Sequence, residues 1–234
     1  MKKITILLIL TILIACSVTT KEKSKVSPEI KKEYVVFLEE VISKRDSFHI
    51  AYKTSNAAVK KKIVKEARAY LIKNIAEEVF SYWHGTKWSF SGMTRTPKKG
   101  SIACGYFITN TLTDVGFNIP RIKWAQSASE VFIKKLSKEQ IKRFVNKPVI
   151  EVEEYLKTAG NGLYLVGLDS HTGYIYVNND KVRFIHADYY EPEKGVVSEK
   201  LNSYSPIAHS KYRVIGKLMS DEMIISWIYN ERIK

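Results

Sequence analysis

The sequence predicts an α+β fold. Helical spacing of apolar residues dominates its first half, alternating apolar residues crowd its second half, and no internal repeat or linker separates them. Its 234 residues are 45% hydrophobic and 12% aromatic, enough to bury a core, which excludes a disordered tail. Two cysteines are too few for a disulfide-stapled scaffold or a Cys-based zinc module. The 38 basic and 24 acidic side chains leave a net charge of +14.

Met1-Lys2-Lys3 leads into an apolar run from Ile4 to Ala15, broken only by Thr5 and Thr11. Residues 1–15 therefore read as an export signal, too short to span a bilayer comfortably as a helix. The run ends in Leu13-Ile14-Ala15-Cys16, which resembles the bacterial lipobox. That resemblance implies cleavage before Cys16, a lipid on its thiol, and a chain anchored through this lipid to a membrane of the cell envelope. Ser17 stands where an aspartate commonly retains such proteins at the inner membrane, so the outer membrane or cell surface is the expected location. An ordinary cleaved signal or a simple membrane anchor is the alternative. Residues 16–27 are polar and suit a lipidated tether. Losing 1–15 removes Lys2 and Lys3 and no acid, so the basic excess belongs to the folded part.

Ser27-Pro28 opens a helix near 28–46, with Tyr34, Phe37, Leu38 and Val41 on its apolar face. A second run over 57–82 aligns Val64, Ala67, Leu71, Ile75, Val79 and Tyr82, and His84-Gly85 ends it. Residues 21–73 hold 14 basic and 7 acidic side chains, read as solvated helix faces or an attraction to an anionic envelope surface. No groove-reading motif or aromatic stacking pattern accompanies them, so no nucleic-acid partner is expected. A Gly/Ser/Thr/Lys-rich loop over 84–102 embeds Trp88 and Phe90. A helix over 103–115 follows, with Gly116 as its left-handed cap. Helical stretches are expected at 127–136, 137–146 and 149–158, strands near 163–168, 171–177, 181–187 and 212–218, and a last helix from Ser220.

Chemistry converges on three residues. With Cys16 lipidated, Cys104 is the one thiol left in an exported chain and has no disulfide partner. It begins a helix, where free backbone N–H groups favour thiolate, although it could equally start the apolar face with Ile108 and Leu112. His171 heads a strand after the Asp169-Ser170 turn. Asn179-Asp180 is a two-residue hairpin signal, and pairing Asn178 with Lys181 sets Gly173 opposite His186 and His171 opposite Asp188. The glycine clears a diagonal path between the two imidazoles. Cys104 then serves as nucleophile, His171 as base and His186 as the group that holds the tautomer of His171, with Asp188 competing for that last role. A zinc site on both histidines and Asp188 is the rival use, but His-Glu-x-x-His and Cys-x-x-Cys spacings are absent, so neither metal nor cofactor is expected.

The order of these elements resembles the NlpC-type branch of papain-like cysteine peptidases, which cleave peptide or amide bonds in bacterial cell walls. The resemblance rests on Gly85-Thr86-Lys87-Trp88-Ser89-Phe90-Ser91-Gly92, Ala103-Cys104-Gly105, His171-Thr172-Gly173 and Ile185-His186-Ala187, and spans about 85–188. It implies an antiparallel sheet packed on the Cys104 helix, a papain-like catalytic domain over 83–234 and additional N-terminal helices over 28–82. It also implies the roles given above to Cys104, His171 and His186. Trp88 replaces the loop tyrosine that helps bind the family's oxyanion, and its indole N–H suits that role or a place in the core or the substrate loop. Ala103 and Gly105 replace the family's Asp and Ser around the nucleophile. About fifty residues of mostly helical sequence separate the Cys helix from the His strand. The expected activity is that of an envelope-anchored thiol hydrolase acting on peptidoglycan stem peptides. The alternatives are a thiol acyltransferase or lipid hydrolase of the same superfamily, and a non-catalytic envelope-binding lipoprotein that retains the fold.

Overall fold

Asn56 sets the first junction of the chain. Its side chain accepts the Val59 N–H at 3.1 Å and so separates helix α1 (Pro28–Thr54) from α2 (Ala57–Lys73). The computed structural model describes the backbone of residues 28–234 and side chains from residue 32 onward; the signal, Cys16 and the tether lie outside the described residues. α1 continues past the expected end at 46 because its last turns carry Phe48, which packs against Tyr70 and Trp227 at ring separations of 6.1 and 6.3 Å. α2 passes through a π-helical turn (Asn74–Val79) into α3 (Phe80–Trp83), close to the expected run of 57–82. Strands β1 (Lys87–Trp88) and β2 (Ser101–Ile102) pair in parallel across the loop that precedes α4 (Cys104–Asp114).

Next come α5 (Arg121–Ala125), α6 (Ser129–Ser137), β3 (Ile141–Val145) and α7 (Val149–Ala159). They are followed by β4 (Gly162–Leu168), β5 (Thr172–Asn178), β6 (Lys181–Ala187) and β7 (Val196–Glu199). The chain closes with α8 (Pro206–His209), β8 (Tyr212–Lys217) and α9 (Asp221–Ile228). The helix expected at 137–146 is corrected to strand β3. Lys138, at φ +48°, ends α6, and Ile141–Val145 pair antiparallel with β8 at the sheet edge. One six-stranded sheet results, in the order β3-β8-β4-β5-β6-β7, antiparallel throughout.

Alternation along the strands sends side chains to two cores. Leu163, Leu165, Tyr174, Ile185 and Val214 join α1, α2, α4 and α9 on one face, while Tyr164, Val166, Ile175 and Phe184 meet α7 on the other. The N-terminal helices thus share a core with the Cys104 helix. A buried polar chain reinforces the seam. Trp83 Nε1 donates to Tyr34 Oη at 2.9 Å, Tyr34 Oη donates to Asp114 Oδ2 at 2.8 Å, and Arg95 closes on Asp114 Oδ1 at 2.6 Å. Burial pushes the Asp114 carboxyl up to about 6 against the pull of Arg95.

Candidate active site

Cys104 is the first residue of α4. The preceding Ala103 is extended, and its carbonyl accepts the Phe107 N–H at 2.9 Å, which starts the helix. The Ala103 N–H donates to the Gly92 carbonyl at 2.8 Å, so the loop before it is tied to the start of α4. Gly105 lets α5 close in: a Cβ there would lie 2.3 Å from the Ala125 carbonyl oxygen. The close approach of α5 therefore leaves no room for a side chain larger than hydrogen at position 105.

The thiol is half-buried and meets the N–H groups of Thr172, Gly105 and Cys104 itself. Burial nevertheless pushes it above its ordinary value, because desolvation outweighs those donors. The N–H groups at the helix start act in the expected direction, toward thiolate, and burial opposes them.

Both residues of the Asn179-Asp180 turn have positive φ, +47° and +62°, the geometry of a type I′ hairpin. The register runs from Asn178↔Lys181 to Tyr174↔Ile185, as read from the turn. Gly173 follows opposite His186, and a Cβ there would stand 2.9 Å from His186 Cβ and 2.5 Å from Phe184 Cε2. Through that gap His171 Nε2 reaches His186 Nδ1 at 3.0 Å, with the rings nearly perpendicular at 86°. Phe184 lies flat against His186 at 4.1 Å and 15°. Both imidazoles are buried, and burial, then the neighbouring His186, holds His171 well below its ordinary value of 6.5. His171 is thus a neutral base at neutral pH.

Cys104 and His171 line one cavity of about 580 Å³ at the end of the sheet, where the thiol meets the backbone N–H of Thr172, the residue after His171. No thiol–imidazole hydrogen bond joins them. Across the cavity stand Glu130, Asp169 and Tyr212. The Tyr212 hydroxyl, Arg143 and Lys134 hold Glu130 down at about 2. Burial opposes ionisation of Asp169, but the Lys211 N–H, the Ser210 hydroxyl and the Tyr212 N–H outweigh it and keep this carboxyl below its usual range.

The remaining expected residues fall elsewhere. Asp188 is buried but turned to its own loop, accepting the Tyr190 N–H at 2.8 Å, and makes no hydrogen bond to His171. Trp88 lies outside the cavity lining; its ring is 6.0 Å from Tyr189, which is 5.0 Å from His171. Its buried Nε1 has no partner. One residue escaped the sequence reading altogether: Glu199 Oε1 lies 3.1 Å from His186 Nε2. Its signal was the short β-prone run Val196-Val197-Ser198-Glu199 directly after Gly195. Among the described residues no three His, Cys, Asp or Glu side chains are grouped to hold a metal ion, and no helix is long and apolar enough to cross a membrane. The chain matches no protein-family model, no curated protein and no solved structure.

The arrangement provides a neutral thiol, a neutral buried base and a cavity between them. That is the equipment for nucleophilic attack assisted by general base, without a preformed ion pair.

Proposed function

We propose that this chain is a papain-like thiol hydrolase of NlpC type, anchored in the bacterial envelope and cleaving peptide or amide bonds of peptidoglycan stems. The observation that carries the reading is that His171, hydrogen-bonded to the buried His186, lines the same cavity as a thiol at a helix start. The antiparallel sheet behind α4 supports the fold assignment. The lipobox-like Cys16 supports the envelope placement, since a lipid there would hold the enzyme beside its substrate.

In this reading a stem peptide enters the cavity with its carbonyl carbon at Cys104. His171 takes the thiol proton as sulfur bonds to that carbon. Backbone N–H groups at the start of α4 stabilise the oxyanion. The C–N bond then breaks, the leaving amine receives the proton from His171, and a thioester remains. Water, deprotonated by His171, attacks the thioester and restores the thiol.

Digestion of purified peptidoglycan by wild type and Cys104→Ala, with mass analysis of the fragments, tests this reading. Cleaved stem peptides from wild type alone are expected. Release by both proteins, or by neither, overturns it.

A further inference from the structure

We infer that Glu199 is a positioning residue that fixes the direction of the His171–His186 hydrogen bond and thereby the atom of His171 that takes the thiol proton. The inference rests on the thiol-hydrolase reading. A bond between two neutral imidazoles can run either way. If His186 Nδ1 donates, His171 accepts at Nε2, its own proton sits on Nδ1, and no lone pair remains for the thiol. If His171 Nε2 donates, Nδ1 of His171 is left as the base. The 3.0 Å separation fits both directions.

Glu199 removes the ambiguity. A carboxylate only accepts, so the 3.1 Å contact between Glu199 Oε1 and His186 Nε2 requires the proton on Nε2. A neutral His186 then keeps its lone pair on Nδ1 and accepts from His171. One tautomer of each ring satisfies every contact in the chain.

The sheet builds this geometry. Glu199 pairs with Phe184 and Val197 with His186 across β6 and β7, so Glu199 reaches His186 diagonally on one face. Phe184 covers the flat side of the imidazole and Gly173 leaves the other approach open to His171. Glu199 itself keeps 23% of its side chain exposed, while His186 is fully buried. When the thiol proton moves to His171 Nδ1, the new imidazolium still donates from Nε2 to His186, and the carboxylate faces the positive charge through that ring. No proton leaves His186.

Ring ¹⁵N spectra of the full chain, assigned with single His→Gln variants, read the tautomers directly. Alkylation of Cys104 by iodoacetamide at neutral pH reads the consequence. Wild type and Glu199→Gln, whose amide oxygen still accepts, are expected to show His171 protonated on Nε2 and bare on Nδ1. Glu199→Leu and Glu199→Lys, which cannot accept, are expected to populate the reversed tautomer and to alkylate about 10- to 100-fold more slowly. Two variants guard against one that fails to fold. A wild-type His171 protonated on Nδ1, or an unaltered tautomer and rate in both non-accepting variants, overturns the inference. The spectra do not depend on turnover. A chain that cleaves no peptidoglycan yet shows the Glu199-dependent tautomer sinks the hydrolase reading and keeps the positioning role; cleavage with the tautomer unaffected does the reverse.

Discussion

Gly173→Ala asks the hairpin to hold one methyl it has no space for. The added carbon would lie 2.5 Å from Phe184 Cε2, 2.9 Å from His186 Cβ and 2.9 Å from the Ile185 carbonyl oxygen. Carbon atoms sit comfortably at about 3.5–4.0 Å, so at least one ring must move. Phe184 is stacked on His186, and any rotation that relieves the first contact pushes on the second. Overpacking of this kind costs about 1–3 kcal/mol of stability. A shift of His186 by roughly 1 Å opens its 3.0 Å bond to His171 and lowers turnover by up to about 100-fold. Urea unfolding gives the first quantity and release of peptidoglycan fragments the second. A variant with wild-type stability and wild-type turnover would refute the argument that this glycine exists to let the imidazoles meet.

The raised thiol and depressed His171 imply that alkylation of the half-buried Cys104 climbs steadily from mildly acidic into alkaline pH; a fast plateau at acidic pH would mean a resting ion pair instead. Tyr34→Phe leaves the Trp83 N–H and Asp114 Oδ2 without their partner, and is expected to cost about 1–3 kcal/mol in urea unfolding with little change in turnover. Asp114 has a folded value of about 6 against an ordinary 3.8, so the folded state binds more protons and this residue's contribution falls as pH rises through that window. The loss amounts to about 3 kcal/mol. His171 contributes with the opposite sign, stabilising as pH rises toward 6.5, so the readout is the difference between wild type and Asp114→Asn at the two ends of the window. A difference independent of pH would contradict the burial argument.

The sheet interior was legible because its rules are local. Alternation marks β4 to β6, and Asn179-Asp180 takes the positive φ that a type I′ turn needs, so the register and the meeting of His171 with His186 follow from counting. The edge was not legible. Ile141 and Phe144 are three residues apart, which fits a helix face as well as a short strand, and only pairing with β8 decides between them. β7 and α8 are four residues each, too brief to announce themselves by periodicity, and Glu199 disappeared with β7. The burial of the thiol was not legible for a related reason. A helix start is visible in sequence, but burial outweighs it, and the approach of α5 to Gly105 and of Thr172, at the start of β5, to the thiol exists only in three dimensions.

The most direct measurement is intact and peptide mass analysis of the protein quenched in acid during turnover of a peptidoglycan stem peptide. The account predicts an acyl group on the peptide containing Cys104 in wild type and none in Cys104→Ala, with fragment release lost in that variant. Release at the wild-type rate by Cys104→Ala would contradict it.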